Sequence, residues 1–299
     1  MRRAWPFLLL AMLGASSLQA QETVTRTVPA DGAASIRVFN LVGTTRIVGW
    51  SSDSIRVTAT VPKGGGRFFM GGSVTAFKMG VEAKEQGAEI PPSTLEIRVP
   101  RLARIWVKSA TASISVENAG GELDLASVSG RITVTGSPRV VMAESMDGAI
   151  VISADAPVMR IKSADGAITI RHAGGDLTVS SVSGAITVTS ARELISGRIE
   201  SVTGRVTFEG AVSADGALDL QTHEAPITIA LPATQNATLD ITAFSGKVVS
   251  GFPGARRTAT PGQPVRYTLG SGSARISVRS LKGGVRIQQL DGKGDSNAP

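Results

Sequence analysis

Apolar residues along the middle of this chain come in pairs separated by a single residue, and the pairs recur at a nearly fixed interval. Leu123 and Leu125, Met159 and Ile161, Leu177 and Val179, Leu218 and Leu220, and Leu239 and Ile241 form one set. Ile132 and Val134, Ile150 and Ile152, Ile168 and Ile170, Ile186 and Val188, Val206 and Phe208, and Ile227 and Ile229 form the other. Alternation with period two over short β-branched runs, bounded by Gly, Asp and Ser, predicts strands with one dry and one wet face. No segment after residue 20 shows the 3.6-residue period of an amphipathic helix.

The two sets interleave around a shared motif, Ser-x-x-Gly-x-apolar-x-apolar, in SVSGRITVT, SMDGAIVIS, SADGAITIR, SVSGAITVT and SVTGRVTFE. The glycines Gly130, Gly148, Gly166, Gly184 and Gly204 are 18, 18, 18 and 20 residues apart. Ala112, Ala225 and Gly246 continue the register outward, and Gly283 in SLKGGVRI marks a last copy. Each unit therefore reads as strand, tight turn, strand, looser turn. Asp147-Gly148 and Asp165-Gly166 predict a glycine that accepts a positive φ at the sharp reversal, with the serine three positions earlier bonding freed backbone groups. Such units cannot bury a core alone and must stack on their neighbours. The predicted fold is all-β, an elongated β-solenoid-like stack of two-stranded repeats of about 18–21 residues. An antiparallel meander closing into a sandwich would use the same strands; the near-constant step favours stacking, because it sets like residues over like.

Outside the regular repeats at about 105–250, ASIRVFNLVGTTRIVGW reads as a diverged copy and SDSIRVTATV as an added strand. The stretch KGGGRFFMGGS, residues 63–73, reads as a glycine-rich loop carrying Phe68, Phe69 and Met70, and MGVEAKEQGAEI reads as a hairpin. The expected organisation is a signal peptide at 1–20, one β-strand-repeat domain at 21–290, and a disordered tail at 291–299.

The signal-peptide expectation rests on Arg2 and Arg3, the apolar run Phe7 to Leu13, and small or polar residues up to a cleavage after Ala20. The apolar run is too short for a membrane span. There is no cysteine, which excludes a disulfide framework, a thiolate metal site, a lipid-bearing cysteine and a cysteine nucleophile. The chain carries 31 Lys and Arg against 24 Asp and Glu. The excess is concentrated after Gly251, where eight basic residues face two aspartates. A basic end could meet anionic lipid, polysaccharide or nucleic acid, or, the favoured reading, could serve to deter pairing at a sheet edge.

Candidate chemistry is sparse. His172 and His223 are expected at opposite turns, unable to share a metal. Asp147 and Asp165 are expected in adjacent turns, the spacing of a glycosidase pair or a calcium site, although Ser129 and Ser183 fill the same column and Asp-Gly is ordinary turn chemistry. Ser109, Ser127, Ser145, Ser163, Ser181 and Ser201 are expected as a column of turn caps, and Glu144 and Lys162 as a cross-strand pair. Thr133, Thr169, Thr187, Thr207 and Thr228 are expected as a flat outward row, interrupted by Val151. That row, with Arg256 and Arg257 in the basic end, makes up the candidate surface contacts; no catalytic, cofactor or metal residue is assigned.

The Ser-x-x-Gly-x-Ile-x-Val repeats and the opening IRVFNLVGTTRIVGWSSDSIRVTATV resemble the bacterial putative-adhesin family, from about Ser35 to Ile287. The resemblance implies an exported β-strand-repeat protein of the cell envelope and supplies no catalytic residues. The expected function is a non-enzymatic envelope protein, an adhesin or surface scaffold module, in the periplasm, on the outer-membrane surface or outside the cell. Its expected partners are a cell-surface polysaccharide, an envelope lipid or another envelope protein, without nucleic acid and without a cofactor. The alternative is a carbohydrate-active β-helix enzyme acting on polysaccharide.

Overall fold

The computed structural model describes residues 21–63, 66–85, 88–260 and 263–290. The expected signal peptide at 1–20 and tail at 291–299 lie outside the described residues. Within them the protein is all-β and has no helix. Seven strands come first: β1 (Gln21–Pro29), β2 (Ser35–Phe39), β3 (Gly43–Trp50), β4 (Ser54–Pro62), β5 (Gly66–Ser73), β6 (Ala76–Ala83) and β7 (Ser93–Pro100). The regular repeats supply β8 (Arg104–Lys108), β9 (Ser113–Glu117), β10 (Glu122–Ser127), β11 (Ile132–Gly136), β12 (Val140–Ser145), β13 (Ile150–Ala154), β14 (Val158–Ser163), β15 (Ile168–Ser181), β16 (Ile186–Ser201), β17 (Val206–Glu209), β18 (Val212–Thr222) and β19 (Ile227–Leu231). Last come β20 (Ala237–Ala243), β21 (Val248–Ser250), β22 (Arg256–Thr258), β23 (Val265–Leu269), β24 (Ala274–Ser280) and β25 (Val285–Gln289).

Parallel pairing with like residues in register dominates. Ladder A runs β6, β2, β8, β10, β12, β14, the second halves of β15 and β16, then β18, β24 and β20. Ladder B runs β7, β3, β9, β11, β13, the first halves of β15 and β16, then β17, β19, β25 and β21. One strand from each ladder, joined at the Ser-x-x-Gly turn, makes a rung. Ile132, Ile150, Ile168 and Ile186 are consecutive partners, as the 18-residue period requires. Their side chains and the alternate apolar residues of ladder A meet in one continuous buried core.

The units are not uniformly two-stranded. β15 and β16 pass unbroken through the looser turn, with register shifts at residues 170–176, so both ladders belong to one connected 25-stranded sheet. The order of rungs also departs from chain order at each end. β2 and β3 sit between β6–β7 and β8–β9, and β24 and β25 sit between β18–β19 and β20–β21. The copy at Gly283 thus stacks directly on Ala225, and Gly246 lies beyond it. Antiparallel strands then close three of the four ladder edges: β5 on β6, β4 and β1 on β7, and β23 and β22 on β20. An exposed row of unpaired peptide groups invites edge-to-edge association, and these additions move it outward or shorten it. The fourth edge, β21, is only three residues long.

Two further expectations need correction. Residues 66–73 are strand β5 of a hairpin with β6, with Phe68 and Met70 packed against the core, so the stretch at 63–73 is mainly strand and the hairpin lies one step earlier than the sequence suggested. The repeat glycines Gly130, Gly148, Gly166, Gly184 and Gly204 do not have positive φ. They are required because the turns stack backbone on backbone: a Cβ on Gly148 would strike the carbonyl of Gly130, one on Gly166 that of Gly148, and one on Gly184 that of Gly166. The serines do cap these turns, Ser127, Ser145 and Ser201 each accepting the glycine N–H three residues on at 2.9 Å.

Candidate functional site

The outer face of ladder A carries a concentration of aromatic and cationic side chains where β5, β6, β2 and β8 adjoin. Strand alternation explains the composition: Ile36 and Val38, Phe77 and Met79, and Ile105 and Val107 point inward, so Arg37 and Phe39, Lys78 and Gly80, and Trp106 and Lys108 point outward. Pairing then sets Lys78 beside Arg37 and Arg37 beside Trp106 in one row, and Phe69, Gly80, Phe39 and Lys108 in the next. Aromatic and basic groups therefore lie side by side in two adjoining rows, an aromatic board with cations among its rings.

The geometry is one of mutual contact. The Phe39 and Trp106 rings meet edge to face with centroids 5.2 Å apart, a favoured arrangement of ring quadrupoles. Lys78 Nζ lies 5.0 Å from the Phe39 centroid and 5.8 Å from that of Phe69, and Lys108 Nζ lies 4.8 Å from that of Trp106. Gly71 and Gly72 contribute no side chains to an open groove of about 520 Å³ lined by Arg37, Lys78 and Phe69. Among the described residues none of Arg37, Lys78 and Lys108 forms an ion pair. Next along the row, burial pushes the Asp124 carboxyl above the ordinary carboxylate range; Glu144 adds to the rise and Lys108 opposes it. Flat aromatic faces with free cations beside them can hold a ring that has an apolar face and an anionic substituent.

A second feature follows the tight-turn corner. The residue after each capping serine or its equivalent is Ala110, Val128, Met146, Ala164, Val182, Val202, His223, Leu281 and Phe244, in spatial order. Turn chemistry needs no apolar residue there, yet Val128, Met146, Val182, Val202, Leu281 and Phe244 are all exposed. Backbone bonds tie the ridge from rung to rung, as in Met146 N–H to Val128 O and Thr203 N–H to Val182 O.

The residues singled out from sequence divide between these places and others. Thr133, Thr169, Thr187, Thr207 and Thr228 do share a row on the outer face of ladder B, with Val151 between the first two and Arg286 beyond the last. They are far from the aromatic board, on the opposite face. Arg256 and Arg257 lie on the short strand β22, exposed, with Arg256 donating to Gly270 O at 3.2 Å. Asp147 and Asp165 occupy consecutive exposed turns, and Ser183 donates to Asp165 at 2.5 Å. His172 and His223 stand at opposite corners. Among the described residues no group of three or more His, Cys, Asp or Glu gathers. Glu144 and Lys162 pair at 3.3 Å. Phe39, Lys78 and Trp106 come from three separate segments, so no local pattern joins them to Phe69; the signal that the sequence does hold is Phe39 and Trp106 at outward strand positions in a chain with only 4% aromatics.

No helix among the described residues is long and apolar enough to cross a membrane. No known protein family matches the chain in sequence, and no curated protein does so either. In structure it is similar to a putative adhesin from Parabacteroides merdae, at 11% identity over 90% of this chain and 97% of that one, with a TM-score of 0.47. A putative adhesin from Bacteroides fragilis matches at 11% identity over 91% and 99% of the two chains, TM-score 0.40. A protein described as a putative lipid binding protein from Parabacteroides distasonis matches at 10% identity over 90% and 97%, TM-score 0.43. The solved structures that this chain is similar to thus bear the names of adhesins and of a lipid binding protein, at identities that carry no ligand across.

Proposed function

We propose that the chain is an exported, non-enzymatic cell-envelope protein of the adhesin or scaffold kind, a β-solenoid-like stack forming one domain over 21–290, and that it binds an acidic glycan on the aromatic board of ladder A. The observation that carries this reading is an open groove of about 520 Å³ lined by Arg37, Phe69 and Lys78, beside which Phe39, Trp106 and Lys108 continue the same aromatic and cationic surface. Sugar rings present C–H groups that pack on the negative faces of aromatic rings, and uronate or phosphate substituents suit Arg37 and Lys78, which form no ion pair with a described carboxylate. The strands beneath are buried in the common core, so the board is preformed. The threonine row and Arg256 with Arg257 belong to the same proposal as secondary contacts.

Affinity electrophoresis of the purified protein through gels containing polygalacturonate, alginate or neutral dextran tests it. Retardation by an acidic polymer, reduced at least tenfold in affinity by Trp106→Ala and by Lys78→Gln with an unchanged melting temperature, supports the reading. Thr169→Val with Thr187→Val, and Arg256→Gln with Arg257→Gln, measure the secondary contacts. Mobility equal in all three gels rejects the board as a glycan site. Release of reducing ends, abolished by Asp147→Asn with Asp165→Asn, would instead establish the polysaccharide-cleaving alternative.

A further inference from the structure

The apolar ridge changes character toward its C-terminal end. Phe244 closes it and is 78% exposed, Leu281 is one rung below at 44%, and Val249 at 48% faces outward on the edge strand β21. Residues 241–290 contain eight Lys or Arg and no Asp or Glu. Three of these bases frame the apolar end: Arg279 two residues before Leu281 on ladder A, Lys247 three residues after Phe244, and Arg286 in register with Val249 on ladder B. None of the three pairs with a described carboxylate, whereas the neighbouring Lys282 is held by Glu224 at 2.5 Å and Arg266 by Asp240 at 2.7 Å. Further from the end the ridge is flanked by both signs, Glu144, Asp147, Asp165 and Glu200 beside Arg131, Lys162 and Arg205, so the basic excess is confined to the end.

We propose that this end of the ridge, Phe244 with Leu281 and Val249 inside the fringe of Lys247, Arg279 and Arg286, seats the protein on an anionic lipid bilayer. A projecting corner of large apolar side chains offers no groove for a peptide or a folded partner to fill, but it can enter the headgroup layer while the bases meet lipid phosphates on either side. This is the pattern of interfacial binding, in which apolar burial and electrostatic attraction act together. The middle rungs lack this basic excess, so the contact is end-on. The near edge of the aromatic board, at β8, lies about eight strand spacings from β20, roughly 40 Å at about 4.8 Å each, and the board is held clear of the membrane.

Co-sedimentation of the purified, export-processed protein with phosphatidylethanolamine–phosphatidylglycerol (3:1) vesicles, with phosphatidylcholine vesicles as comparison, tests the proposal. Binding to the anionic vesicles, at least tenfold weaker to phosphatidylcholine, is expected. Phe244→Ser with Leu281→Ser should weaken it at least tenfold, as should the triple change Lys247→Gln, Arg279→Gln and Arg286→Gln, which should also flatten the dependence on salt. Met146→Ser, on a middle rung, should leave binding within about twofold, and circular dichroism melting checks that every variant is folded. Absence of binding, equal binding to both lipids, or indifference to either set of substitutions overturns the proposal. So does a dimer in analytical ultracentrifugation that Phe244→Ser dissociates, which would assign the ridge to a second copy of this chain. None of these outcomes depends on whether the board binds a glycan.

Discussion

Replacing Gly166 by alanine adds one methyl group where two turns are stacked backbone to backbone. The new Cβ would lie 2.6 Å from the carbonyl carbon of Gly148 and 2.9 Å from Asp147 O, besides striking Gly148 O. Carbon atoms rest at about 3.5–4.0 Å, so the turn must withdraw by about 1 Å. Two backbone bonds cross the same gap, Asp165 N–H to Met146 O at 2.7 Å and Ile150 N–H to Ala167 O at 2.9 Å, with a longer one from Gly166 N–H to Met146 O at 3.3 Å. At about 1 kcal/mol net for each bond lost, the change costs about 2–3 kcal/mol. Alanine restricts the unfolded chain and returns about 0.4–1 kcal/mol, leaving about 2 kcal/mol of destabilisation. At roughly 2–4 °C per kcal/mol for a protein of this size, thermal unfolding followed by circular dichroism should show a midpoint lower by about 4–8 °C. Gly71 is the control: a Cβ there meets nothing within 4 Å and its φ is not left-handed, so Gly71→Ala should melt within about 2 °C of the parent. If Gly166→Ala melts as high as the parent, the glycine column does not owe its composition to close approach of the turns, and the reasoning fails.

Three other perturbations probe different parts of the stack. Ser145→Ala removes the acceptor of the buried Gly148 N–H and a donor to Val128 O at 3.3 Å, and should lower stability in urea by about 1–2 kcal/mol; a neutral result would mean that the serine column does not cap. Gln235 imitates a peptide group, accepting from Val212 N–H and donating to Val212 O, both at 2.9 Å. Gln235→Glu should therefore be destabilised at neutral pH, where a carboxylate faces that carbonyl, and should recover as acid restores a donor; pH-independent melting of this variant would contradict the pairing. Glu117 is held below the ordinary carboxylate range by its hydrogen bond from Arg46, at 2.7 Å in the ion pair. Its folded pKa is depressed, so its contribution is present above the unfolded carboxylate value and is lost as pH falls through the folded one. The melting difference between the parent and Glu117→Gln should accordingly shrink from pH 6 toward pH 3, and a difference that widens in acid would reverse the assignment.

The sequence by itself determined the strands, the inward and outward faces and the register of the middle rungs. Alternation of Ile132 with Thr133 and Val134 is a local property of an extended chain, and a constant 18-residue step forces Ile132, Ile150, Ile168 and Ile186 over one another once stacking begins. Capping serines were legible for the same reason, since donor and acceptor lie three residues apart. Only the tertiary structure decided what depends on neighbours distant in sequence. The glycines serve a close approach between successive turns, which no single turn reveals. The copy at Gly283 inserts between those at Ala225 and Gly246, and β2 and β3 insert near the other end, which leaves β6, β7 and β20 outermost to carry the antiparallel strands. The aromatic board exists only after that insertion brings Phe69, Phe39 and Trp106 together, and the basic fringe around Phe244 only after β24 and β25 pass beneath β20 and β21. Period and alternation act along the chain and can be read there; the order of rungs rests on pairings between segments far apart in sequence, and that is a property of the assembled sheet.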